Sequence, residues 1–225
     1  MTQSDVAENY LAILNQVKTL NPNATLVAVS KTKPIETLRE AYDAGCRVFG
    51  ENYVDEIVAK APLLPDAKFH MIGHLQSNKA SKVCAIPNLA MIETIDSDHL
   101  ADKVNNSWKG QNPLAVMIQI NTSEEPQKNG IQAGESLLHL AQHIINNCPH
   151  LQFNGLMTIE EIGESSRDFE SLINARNQLA KELNRQPETI KLSMGMSADY
   201  ELALKMGSDY VRVGSSIFGA RQRKQ

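Results

Sequence analysis

Along the chain, short runs of apolar, often β-branched residues alternate with longer stretches in which apolar positions recur every three or four residues. The first pattern is that of strands buried on both faces and the second that of amphipathic helices, so their alternation predicts βα units around a parallel sheet. Eight strand-like runs are found, at 25–30, 46–50, 68–72, 91–95, 114–121, 153–159, 190–194 and 210–214. TLVAVS and PLAVMIQI are apolar nearly throughout. Helical periodicity covers 34–44, 53–60, 78–83, 97–108, 134–147, 165–184 and 199–206, and an extra helix at 5–20 precedes the first strand. Pro34 suits a first helical turn, where its missing N–H would have had no partner. Eight strands with interposed helices predict a closed (β/α)₈ TIM barrel, an α/β fold, rather than an open doubly wound sheet. No linker, low-complexity tract or internal repeat divides the chain, so residues 1–225 are read as one domain.

Composition narrows the class of function. The 225 residues fall in the range of roughly 200–250 that such barrels fill as one domain. Apolar residues make up 42% and charged residues 21%, an ordinary globular balance. The net charge is −4 and the basic residues are scattered, which excludes the electrostatic footprint of a nucleic-acid binder. The basic tail at 221–224 is too short to change this. Cys46, Cys84 and Cys148 are odd in number and widely spaced, arguing against a disulfide framework or a zinc site. The N-terminus lacks the basic and apolar regions of a signal peptide. No apolar run approaches the roughly 18 residues that a bilayer requires. A reducing, cytoplasmic location with no membrane contact is the expectation.

In a barrel, chemistry gathers where strands end, at the C-terminal face. The first strand runs straight into Ser30, Lys31, Thr32 and Lys33, placing Lys31 at its end. An amine meant to attack an aldehyde benefits from burial or a second nearby cation, which lower its pKa, and Lys33 has the parity to supply that charge. Solvation of a loop rim is the plainer account of both lysines.

Two late segments have the form of a phosphate site. In LSMGMSADYELAL, Ser197 follows a strand and precedes a helix whose first turn it is placed to cap. In YVRVGSSIFGAR, Gly214 permits close backbone approach, and Ser215 and Ser216 add hydroxyls. Loops after strands seven and eight recurrently hold phosphate in barrels. An ordinary cap and an ordinary turn are the alternatives, and Asp199 argues mildly against an anion. Arg212, between Val211 and Val213, needs an acceptor: a ring nitrogen's lone pair or a buried carboxylate.

These segments resemble the pyridoxal phosphate homeostasis protein family, whose fold is like the N-terminal barrel of alanine racemase. The resemblance is carried by AVSKTKP at 28–34, FGENYV at 49–54, IGHLQSNK at 72–79, INTSEEPQKNG at 120–130, GLMTI at 155–159, SMGMSADY at 193–200 and VRVGSSIFGAR at 211–221. It implies pyridoxal 5′-phosphate (PLP) held as a Schiff base on Lys31, with phosphate held by Ser197, Gly214 and Ser215. By likeness to the racemase barrel, Arg212 would face the pyridine nitrogen and Asn52 would line the ring pocket. An arginine at that nitrogen leaves it unprotonated and weakens the electron sink, which suits a holder better than a versatile catalyst.

Other signals are discounted. His139 and His143 are four apart but lack an evident third ligand, so no metal is assigned. Glu160, Glu161 and Glu164 read as a solvated loop, and Lys128 as a surface lysine. Tyr53 and His74 follow strands two and three without an evident partner to tune them.

The expectation is therefore a PLP-binding protein without turnover and with no catalytic residue assigned. It would supply or buffer the cofactor in intracellular vitamin B6 homeostasis. Other B6 vitamers and apo-enzymes of the PLP class are its candidate partners, and its assembly is expected to be a monomer or weak homodimer. The rival is an amino-acid racemase or decarboxylase on the same barrel. Such enzymes complete the site with a second, β-rich domain, for which the eleven residues after Gly214 leave no room.

Overall fold

The computed structural model describes residues 3–123 and 125–220. Helix α1 (Gln3–Leu20) precedes β1 (Thr25–Val29), α2 (Ile35–Asp43), β2 (Val48–Glu51), α3 (Val54–Lys60), β3 (Lys68–Met71), α4 (Ala80–Cys84) and β4 (Leu89–Ile95). There follow α5 (Asp98–Ser107), β5 (Leu114–Gln119), α6 (Glu135–Asn147), β6 (Leu151–Met157), α7 (Ser165–Glu182), β7 (Lys191–Ser193), α8 (Tyr200–Lys205), β8 (Tyr210–Val213) and α9 (Ser215–Phe218). The strands pair in sequence order, all parallel, and β8 closes onto β1. This is the (β/α)₈ TIM barrel that the alternation of periods predicts.

Every predicted strand and helix is present, with shifted ends. Strand β2 begins at Val48 rather than 46 because the Cys46 N–H bonds to Ala41 O and so completes the end of α2. The predicted helix at 78–83 is a 3-10 turn, Ser77–Lys79, running into α4. Helix α9 is not among the predicted helices; its single hydrogen-bonded turn is too short to show periodicity.

Alternation along the strands sorts the core. Leu26 and Ala28 of β1 and Val211 and Val213 of β8 belong to the main apolar cluster under the helices. Val27, Val29 and Arg212 therefore point into the barrel lumen. Helix α1 spans the seam between β8 and β1, packing against α2, α8 and α9. It presents buried Val6, Tyr10, Ile13 and Val17 at steps of four, three and four. In the lumen, Met91, Met117 and Met157 form a separate apolar cluster.

The lumen also carries a chain of polar side chains. His70 on β3 lies 2.9 Å from Glu93 on β4, Ser193 on β7 donates to Glu93, and Arg212 on β8 donates to Ser193 at 2.6 Å. Strands β3 and β4 lie across the barrel from β7 and β8, so these contacts bridge the interior. All four residues are buried, and pairing offsets the cost of removing them from water. Among the described residues, no helix is long and apolar enough to cross a membrane.

Candidate functional site

A cavity of about 380 Å³ opens at the C-terminal ends of β1, β2, β7 and β8. Lys31, Asn52, Ser197, Arg212, Gly214 and Ser215 all line it, with Val29, Ile72, Ile159, Met196 and Phe218 as its apolar walls. Its size and its mostly apolar lining with a few convergent polar groups suit a small organic ligand. Among the described residues, the ionisable side chains lining it are Lys31, Lys33 and Arg212, all cationic, so the cavity favours an anion.

The turn that carries Lys31 is held from beneath by charge. Buried Lys60, on α3, donates to Ser30 O at 2.9 Å, to Glu51 Oε1 at 2.9 Å and to Glu56 Oε1 at 3.2 Å. Ser30 Oγ donates to the same Glu51 oxygen at 2.6 Å. Burial pushes the Glu51 carboxyl up, against the opposing pull of Ser30 and Lys60. Next along, Thr32 has φ 65°, a left-handed conformation costly for a β-branched residue. Its N–H is held by both oxygens of Glu56, at 2.8 and 3.1 Å. The Lys33 N–H bonds to Ser30 O at 3.1 Å, closing a tight turn with Lys31 and Thr32 as its central residues.

Arg212 is 4% exposed, and its partners decide the alternatives left by its sequence context. One terminal nitrogen donates to Ser193 Oγ at 2.6 Å and the other to Thr158 O at 2.7 Å, with Glu160 Oε2 at 3.5 Å. A carboxylate partner is therefore present, and the guanidinium still lines the cavity. Burial would raise the Glu93 carboxyl, but His70, Arg212 and Ser193 together outweigh it and hold the group below its usual range. Glu160 shows the reverse balance: burial prevails over Arg212 and its pKa is raised.

The expected cap by Ser197 is corrected. The residue at the start of α8 is Asp199, whose carboxylate accepts the Met196 N–H at 2.8 Å and the Ser165 hydroxyl. These donors hold the Asp199 carboxylate, whose negative charge is still felt by neighbouring Glu160. Ser197 Oγ instead accepts the N–H groups of Gly214 and Ser216, each at 3.3 Å. These long bonds tie the β7 loop to the start of α9. A Cβ on Gly214 would stand 3.1 Å from Val29 O, so the glycine keeps this corner close to the Lys31 strand.

Asn52 is positioned by Gly73, where a Cβ would stand 2.0 Å from Asn52 O; only glycine lets the β3 loop pass beneath it. The Asn52 Oδ1 is buried and has no hydrogen-bond partner among the described residues. An orphaned buried polar atom in the wall of a cationic cavity calls for a polar ligand. Amine, amide, guanidinium, hydroxyls and apolar walls together fit a phosphorylated aromatic aldehyde.

Known proteins are similar to this chain in sequence and fold. Residues 3–222 match the family described as alanine racemase, N-terminal domain. The human pyridoxal phosphate homeostasis protein is 48% identical over 210 residues, covering 87% of this chain and 76% of its own. The chain belongs to the pyridoxal phosphate homeostasis protein family. The relative of that name from Schizosaccharomyces pombe is also 48% identical, over 88% of this chain and 85% of its own. The structure of PipY from Synechococcus elongatus PCC7942, described with PLP bound, is 35% identical with a TM-score of 0.77, covering 95% of this chain and 100% of its own. An alanine racemase from E. faecalis, at 13% identity and a TM-score of 0.77, shares the fold; this chain spans 59% of it.

For this pyridoxal phosphate homeostasis protein family member, sequence reasoning missed the supports beneath the cavity. Glu160, read as part of a solvated loop, is buried, accepting the Gly195 N–H and standing beside Arg212. The signal was its place directly after a strand. Glu51, Glu56 and Lys60 stand at a strand end and on a helix, and nothing in their spacing marks the turn they hold. Lys128 is exposed and 3.6 Å from Glu125, as a surface lysine should be. His139 and His143, left without a further ligand, have Asp102 and Cys148 beside His143. The basic tail at 221–224 lies outside the described residues.

Proposed function

We propose that the protein holds PLP as a Schiff base on Lys31 and supplies or buffers this cofactor in intracellular vitamin B6 homeostasis. The observation that carries this reading is the one cavity in which the β1 amine, the β8 guanidinium and the hydroxyls after β7 and β8 converge. The names of the relatives and the PLP described in PipY support it. When bound, PLP supplies an aldehyde that a lysine amine captures reversibly with release of water. Ser197, Ser215 and the Gly214 corner orient the phosphate, Arg212 faces the ring nitrogen and Asn52 lines the ring. The whole chain, 1–225, acts as one PLP-binding domain in the cytoplasm, with other B6 vitamers and apo-enzymes as partners and a monomer or weak homodimer as its assembly.

This reading makes the protein a holder rather than an enzyme. Racemisation needs acid/base groups on both faces of a substrate. Among the described residues, the amines lining the cavity are Lys31 and Lys33, which come from one loop, and Lys33 is bonded to Ala220 O at 3.1 Å. Tyr53 and His74 are exposed and do not line the cavity. The test is an absorbance spectrum of PLP-loaded protein before and after borohydride reduction, followed by peptide mapping. The expected label is on Lys31, and Lys31→Ala should fold but lose the imine absorbance. A label on Lys33 or Lys128 overturns the assignment. Steady racemisation of D- or L-alanine that vanishes in Lys31→Ala overturns the holder reading.

A further inference from the structure

We propose that Asp102, His143 and Cys148 form a binding site for one divalent transition metal ion of the zinc class, on the outer wall of the barrel between α5 and α6. Asp102 is on α5, His143 on α6, and Cys148 is the residue that ends α6. Their ligand atoms lie within 4.8 Å of one another. His143 Nε2 is 2.6 Å from Asp102 Oδ1, and Cys148 Sγ is 3.8 Å from that same oxygen. The site is remote from the cavity: Cys148 precedes β6, at the end of the barrel opposite the strand ends that line the cavity.

The donor set selects the class of ion. A thiolate and an imidazole favour zinc and its neighbours over magnesium or calcium, and three protein ligands leave a fourth tetrahedral position for water. Bonds of about 2.0–2.3 Å to a tetrahedral ion place ligand atoms roughly 3.3–3.8 Å apart. The sulfur and carboxylate oxygen already have that spacing. The imidazole and carboxylate need to part by less than about 1 Å, which replacing their hydrogen bond by a metal between them would do. Cys148 is buried, and the side chains of His143 and Asp102 are 17% and 50% exposed, so the site opens to solvent on the Asp102 side.

The surroundings are those of a supported ligand. Asn147 Nδ2 lies 3.2 Å from His143 Nδ1. A histidine that binds metal through Nε2 carries its proton on Nδ1, and the Asn147 amide, turned over, presents its oxygen to it. The His139 ring lies nearly parallel to the His143 ring, at 13° and 6.5 Å, and is itself held by Asp98 at 2.6 Å. Burial, with the Asp102 and Asp98 carboxylates, pushes the Cys148 thiol up to about 11, a balance that a bound dication reverses. Binding would therefore release the thiol proton and fasten α5 to α6.

The experiment titrates the full-length, reduced protein with Co²⁺ and then displaces it with Zn²⁺. One equivalent should produce the thiolate-to-cobalt charge-transfer band and the visible bands of four-coordinate Co²⁺, both erased by one equivalent of Zn²⁺. His143→Gln should weaken binding by more than the roughly 10–100-fold that loss of an outer partner costs, and Asn147→Ala by about tenfold. Cys148→Ser should remove the charge-transfer band, while Cys46→Ser and Cys84→Ser keep it. Since Cys148 is buried and its variant is open to misfolding, His143→Gln, checked by circular dichroism, decides independently. Absence of a charge-transfer band in the parent protein, or a band of unchanged affinity in His143→Gln, overturns the proposal.

Discussion

Glu56 grips the backbone N–H of Thr32 with both carboxylate oxygens, at 2.8 and 3.1 Å, where Thr32 holds a left-handed φ of 65°. The bond compensates a conformation that costs roughly 1–2 kcal/mol. Glu56→Ala should lower stability by about 1 kcal/mol, less than the roughly 1.5–3 kcal/mol of a charged hydrogen bond because the pair is partly exposed. It should also slow capture of PLP by Lys31. Urea midpoints and the rate of imine absorbance check both effects, and an unchanged rate would show that the clamp does not set the Lys31 turn.

Lys60 is the cation for buried Glu51, at 2.9 Å. Lys60→Met should destabilise the fold by about 3–5 kcal/mol at neutral pH, because it leaves a buried carboxylate alone. The sign with pH follows from Glu51, whose folded pKa is raised by burial. Such an acid contributes stability below its unfolded value of about 4.3 and loses that contribution as pH rises through the folded value. The gap between variant and parent should therefore narrow on acidification; a gap that is constant in denaturant melts from pH 7 to about 4 contradicts this.

Glu93 should behave in the opposite sense. Its folded pKa is lowered, since His70, Arg212 and Ser193 outweigh its burial. Its contribution to stability is present above about 4.3 and fades as pH falls through the lower folded value. Glu93→Gln should cost most near neutrality and flatten the acid limb of the stability profile. Parallel acid limbs in the two proteins would place the acid sensitivity elsewhere.

Ser197 and Ser215 should read phosphate. Hydrogen bonds to charged groups contribute roughly 1.5–3 kcal/mol each, so Ser197→Ala with Ser215→Ala should weaken PLP binding by at least about a hundredfold. Affinity for pyridoxal, which lacks the phosphate, should change little. Equal losses for both ligands, measured by fluorescence titration, would remove these serines from the phosphate site.

Local sequence determined the barrel and the placement of Lys31. Burial of a strand on both faces leaves an apolar run, and burial of a helix on one face leaves a period, so both can be read without knowing what lies opposite. The end of TLVAVS is likewise visible, and with it the face on which Lys31 emerges. Only the tertiary structure decided the partners of the buried charges. Arg212 meets Ser193 and Glu160, and Glu93 meets His70 and Ser193, across a lumen bounded by strands far apart in sequence. Cys148 meets Asp102 across 46 positions. A charged residue that will be buried looks the same in sequence as one facing water, because its pairing is set by closure of the barrel rather than by any local period.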